Sequence, residues 1–171
     1  MFLIKGTKKV SENLFKCISS GRLDLLQKAV ENVGHIDNLR DKDGNTLLMI
    51  AAKKGKVPFM RFLIKNGANV DAFNNRGDTA LHLTACEAFT IAAAYLLTQG
   101  ANPNICNHKG QTPAEYGYYL SQFDKFNRYK TYLLLMGQAA KTQAPYKIIQ
   151  SRKNIFSANI RQIIENEIMY M

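Results

Sequence analysis

Three histidines and three cysteines are the side chains through which this chain of 171 residues could do nucleophilic, acid–base or metal chemistry. His35, His82 and His108 stand far apart, and no H-x-x-x-H, H-E-x-x-H or Cys/His cluster gives the ligand spacing that zinc requires. Cys17, Cys86 and Cys106 are odd in number and contain no C-x-x-C pair. That pattern argues against a disulfide framework and for a reducing, cytoplasmic compartment. A nucleophilic Cys86 would need a partnered base, and Glu87, adjacent on a helix, points elsewhere. Asp41-x-Asp43-Gly44-Asn45 resembles the start of a calcium loop but lacks the glutamate at its twelfth position, so it reads as a turn. No Gly-x-Ser-x-Gly, P-loop or G-x-G-x-x-G is present. The expectation is a protein with no catalytic, cofactor-binding or metal site.

The elements that carry these residues recur at a fixed interval. Gly44-Asn45-Thr46, Gly77-Asp78-Thr79 and Gly110-Gln111-Thr112 are spaced by 33 residues, as are Gly67-Ala68-Asn69 and Gly100-Ala101-Asn102. A period in this range signals stacked units, none able to bury its apolar face alone. Leu14, Phe15 and Ile18 after Ser11 form one helical face. Ser19-Ser20-Gly21 breaks it, and Leu23 to Val30 forms a second helix that Gly34 ends. Ile36 to Gly44 reads as an extended segment and a turn. Thr46 to Ala52 and Val57 to Ile64 are the next helix pair, joined by Lys53-Lys54-Gly55-Lys56, with Pro58 in a first turn where its missing N–H is harmless. The third unit runs from Gly77 with a slim second helix at Ala92-Ala93-Ala94. The fourth opens at Gly110 and turns bulky at Tyr116, Tyr118 and Tyr119, with a helix expected over 124–136.

With Thr79-x-Leu81-His82 at the head of a 33-residue unit, the chain resembles the ankyrin-repeat family. The resemblance implies an all-α fold, a short α-solenoid of about four repeats, the first and last degenerate, with an added C-terminal helix. The units fall at about 11–43, 44–76, 77–109 and 110–137. Residues 1–10 are a lead-in, and 138–171 are a linker and an amphipathic helix bearing Ile160, Ile163, Ile164 and Ile168. In such repeats His82 is expected to hydrogen-bond within its turn and help join adjacent units. Ala88 replaces the usual glycine between helices, and Glu115 stands where histidine is usual. The resemblance further implies binding of a partner protein through the concave groove and finger loops. Carried over position by position, the partner-binding residues are Lys42, Asp43, Asn45, Lys53 and Lys54, then Asn75, Arg76, Asp78, Cys86 and Glu87, then His108, Lys109, Gln111, Tyr119 and Leu120.

Composition bounds that reading. Apolar residues make up 46% and charged residues 21%, as in a globular protein, and no apolar run nears the ~20 residues of a membrane span. The N-terminus lacks the 7–15-residue apolar stretch of a secretory signal. The net charge of +10 is evenly spread: seven basic residues against four acidic in 1–40, eight against five in 41–110, and eight against four in 111–171. Even spreading favours an acidic protein partner over a dedicated nucleic-acid footprint. A monomer is expected, with membrane attachment confined to an alternative in which the C-terminal helix lies on lipid. Heavy use of Lys, Asn and Ile suits an AT-rich genome. Intracellular bacteria and viruses with such genomes carry similar repeat proteins and direct them at host proteins.

Overall fold

The computed structural model describes residues 13–30, 35–121, 134, 135 and 137. The expectations for the lead-in, for Gly34, for most of the 124–136 helix and for the C-terminal helix fall outside the described residues. Residues 13–20 are helical (α1). They are followed by α2 (Leu23–Val30), a 3-10 turn (Ile36–Asn38), α3 (Leu47–Lys53), α4 (Val57–Lys65), α5 (Ala80–Cys86), α6 (Thr90–Thr98) and α7 (Pro113–Ser121). Two isolated antiparallel bridges, Arg40 with Thr46 and Phe73 with Thr79, are the only extended pairing among the described residues. Where extended chain was expected after Gly34, the backbone first makes the 3-10 turn, closed by Leu39 N–H donating to the Ile36 carbonyl.

The second and third units are helix pairs because a threonine starts each and a left-handed residue folds it back. Thr46 caps α3 by accepting from Met49 N–H at 3.3 Å. After α3 the chain passes through Gly55 at φ 62°, and after α5 through Ala88 at φ 61°. Ala88 is the one positive-φ residue other than glycine among the described residues. It adopts the conformation that its replacement of glycine demands, against the steric preference of a Cβ-bearing residue.

The first helices are the core. In α5 every residue from Ala80 to Ala85 is buried, and α3 buries Leu47, Leu48, Met49, Ala51 and Ala52. They stack in sequence order, α5 between α3 and α7, while α4 backs α3, α6 backs α5, and α2, α4 and α6 follow one another. Small residues set the spacing. A Cβ on Gly117 would stand 3.0 Å from Ala85 Cβ and 3.2 Å from the Ala85 carbonyl oxygen, so α7 lies on α5 at close contact.

Candidate functional site

Between successive helix pairs the chain projects a tight loop, or finger, and the three described fingers are copies of one hydrogen-bonded design. At its base an Asx side chain accepts two backbone N–H groups, two and four residues on. Asp41 takes those of Asp43 and Asn45 at 2.9 and 2.8 Å, Asn74 those of Arg76 and Asp78 at 2.9 and 3.0 Å, and Asn107 those of Lys109 and Gln111 at 3.0 and 3.1 Å. These acceptors satisfy donors that the tight turn would otherwise orphan.

The fingers are then tied to one another. Asn75 N–H donates to the Asp43 carbonyl at 3.1 Å, and one unit on His108 N–H donates to the Arg76 carbonyl at 3.0 Å. Beneath these links the Asn74 amide donates to Asn45 Oδ1 at 2.8 Å, and the Asn107 amide to Asp78 Oδ1 at 2.9 Å. Arg40 spans the first gap, donating to the Gly44 and Phe73 carbonyls at 2.9 and 2.7 Å. Such close approach requires glycine at the finger bend. A Cβ on Gly77 would meet His108 N at 2.8 Å, and one on Gly44 would meet Asn75 N at 2.9 Å, with φ of 76° and 78°.

The result is a row of exposed tips: Lys42 and Asp43, Asn75 and Arg76, His108 and Lys109. Two residues assigned to this surface from sequence do not belong on it. Asn45 is 5% exposed and Asp78 1%, and both spend their side chains inside the ladder just described. Arg76 has two roles. Its Nε donates to Asp78 Oδ2 at 3.0 Å, while its side chain stays 58% exposed. The bond to Asp78 raises the Arg76 pKa, and the guanidinium, charged with or without that shift, pairs with a buried carboxylate.

Gln111 is half-buried at the base of the third finger. Lys53 and Lys54 are exposed at the opposite end of α3 from its finger, and Glu87 occupies the same place on α5. Seven residues at ~1.5 Å each put about 10 Å between the two ends. The side chains of Tyr119 and Leu120 lie outside the described residues. Sequence reasoning missed Phe73, which is 59% exposed beside the second finger. An aromatic among the polar residues of a loop was its only signal.

Behind the tips, His82 is fully buried. Its Nε2 faces the Gln111 carbonyl oxygen at 3.0 Å, which can only accept, so Nε2 carries the proton. Nδ1 therefore accepts from Thr79 N–H at 3.1 Å and from the Thr79 hydroxyl at 3.0 Å. Burial lowers the His82 pKa, opposed by the Gln111 carbonyl. The ring thus caps α5 and ties it to the next finger, as expected of it. In the fourth unit Glu115 performs the capping half of that task, its Oε2 accepting from Thr112 N–H at 2.9 Å and from the Thr112 hydroxyl at 3.1 Å. Tyr116 leans on His82 with ring centroids 6.1 Å apart, and burial raises its pKa, with Cys86 and Asp78 adding to the shift. Cys86 is half-buried in this neighbourhood.

Among the described residues no group of three His, Cys, Asp or Glu side chains could hold a metal ion, and no helix is long and apolar enough to cross a membrane. The family model described as ankyrin repeats, in three copies, matches residues 14–107, more than half of the chain.

Proposed function

The chain belongs to the ankyrin-repeat family, whose repeats serve generally as protein–protein interaction modules, and from that premise we propose that it binds an acidic partner protein along its row of finger tips. The observation that carries this is the locked ladder under the tips. Backbone links at 3.1 and 3.0 Å hold Lys42, Asp43, Asn75, Arg76, His108 and Lys109 in one register before any partner arrives. A pre-ordered surface loses less entropy on binding. Three cations, Lys42, Arg76 and Lys109, stand there against the single exposed acid Asp43. Gln111 supports the row from its base, while Lys53, Lys54 and Glu87 sit at the far end of the inner helices, away from the row. The chain acts by recognition, and the commitment of its buried histidine to the fold supports a reading without catalysis. The Lys-, Asn- and Ile-rich composition supports a partner in the host of an intracellular bacterium or virus.

Charge reversal at Lys42 and Lys109 tests the proposal, because neither side chain supports the ladder. Lys42→Glu with Lys109→Glu should weaken a captured partner at least tenfold in titration calorimetry, and the wild-type affinity should fall as salt rises. Helical circular dichroism should not change. Unaltered affinity would remove the fingers from the site.

A further inference from the structure

The opposite edge of the molecule, formed by the turns between first and second helices, has a character that finger-tip binding does not use. We propose that this turn edge is a membrane-contact site that binds anionic lipid surfaces. Lys53, Lys54 and Lys56 fall within four residues around the α3–α4 turn, with Lys53 and Lys54 exposed and Lys56 half-exposed. Phe89, at the next turn, lies directly over Gly55, since a Cβ there would stand 2.9–3.1 Å from the Phe89 ring. The lysine turn and the aromatic are therefore neighbours in space. Phe89 is 38% exposed, and Ile91, two residues on at the start of α6, is 79% exposed. On the other side Lys56 reaches the α1–α2 turn, where its Nζ comes within 3.7 Å of a Cβ placed on Gly21.

Among the described residues the acids of this edge are few. Asp24 is bound by Arg22 at 3.0 Å, and Glu87 is exposed at the end of α5. The lysine turn thus lies beside Phe89, with Ile91 exposed two residues further on at the start of α6, and neither apolar side chain lines a pocket among the described residues. A protein partner typically supplies its binding energy through side chains seated in pockets. A bilayer needs none: lysines draw the surface to anionic headgroups, and apolar tips enter the boundary beneath them. Ile91 has no evident role in the repeat core, whereas at a lipid interface it becomes buried apolar surface.

The test is co-sedimentation of the full chain with vesicles of phosphatidylcholine alone and of phosphatidylcholine with 30% phosphatidylserine. The wild type should partition onto the anionic vesicles only. Lys54→Glu with Lys56→Glu should reduce that partition at least tenfold. Ile91→Ser, at a position too exposed to affect folding, should reduce it several-fold with no change in charge. Lys42→Glu with Lys109→Glu, at the fingers, should leave most of it. A failure of the finger-tip reading would show in partner titration and not here. Three results overturn the membrane site: no wild-type binding to anionic vesicles, Ile91→Ser binding like wild type, or equal losses from finger and turn charge reversals. Binding of poly-glutamate or an oligonucleotide at this edge without vesicle binding also overturns it, and assigns the lysines to a protein or nucleic-acid ligand.

Discussion

His82 shows how a residue with catalytic potential becomes a structural joint. With Nδ1 accepting from Thr79 and Nε2 donating to Gln111, neither nitrogen is left for chemistry, and the ring cannot take a second proton without breaking the cap. Its pKa is lowered from the ordinary value of 6.5 by burial. A histidine whose folded pKa lies below its unfolded one contributes stability that is fully present above the unfolded pKa and is lost as pH falls from there through the folded pKa. The urea midpoint should therefore drop between pH 7 and pH 5, and by less in His82→Gln. A variant as acid-sensitive as the wild type would transfer that sensitivity to other groups. Ala88 makes a second residue-scale case. A left-handed Cβ-bearing residue costs about 1–2 kcal/mol, and glycine's extra unfolded freedom returns roughly 0.5–1 kcal/mol of that. Ala88→Gly should raise stability by about 0.5–1 kcal/mol in urea unfolding. Destabilisation would mean that the alanine methyl contributes packing that outweighs its backbone cost.

At the scale of elements, the finger and the α5–α7 contact decide whether the units stay in step. Gly77→Ala would force a Cβ against His108 N at 2.8 Å in a backbone of φ 76°. It should cost on the order of 1–3 kcal/mol and loosen hydrogen-exchange protection at the His108 amide. Protection equal to wild type would show that the fingers do not rely on this approach. Gly117→Val puts a branched side chain where 3.0 Å separates even a bare Cβ from Ala85. Overpacking of this kind costs typically 1–3 kcal/mol, and the fourth unit should melt before the others. A single transition with an unchanged midpoint would show that α7 shifts freely. The 33-residue register of these elements was legible because Gly44, Gly77 and Gly110 all take the positive φ that makes glycine recur. The burial of Asn45 and Asp78 was not legible. A short polar residue in a loop is ordinarily solvated, and the partners at Asn74 and Asn107, each 29 residues away in the chain, help draw these two inside. The double duty of Arg76 was hidden for the same reason, since its charge reads alike whether it meets solvent or a buried carboxylate two residues on.

At the largest scale, the described stack separates two exposed edges that the net charge of +10, a sum over all 171 residues, does not distinguish. The fingers offer a pre-ordered mixed surface of Lys, Arg, Asn and His. The turn edge offers lysines beside Phe89, with Ile91 exposed at the start of α6. The inner helices α3, α5 and α7 are the packed layer between them. The most direct test of partner binding by the fingers is site-specific photo-crosslinking in extract of a cell that contains the partner. p-Benzoylphenylalanine replaces Asn75, exposed on the middle finger, or Arg61, exposed on the outer helix α4. A discrete protein adduct should form from position 75 and not from position 61, and Lys42→Glu with Lys109→Glu should abolish it. An adduct from position 61 alone, or one from position 75 that survives the charge reversal, would contradict the finger-tip account.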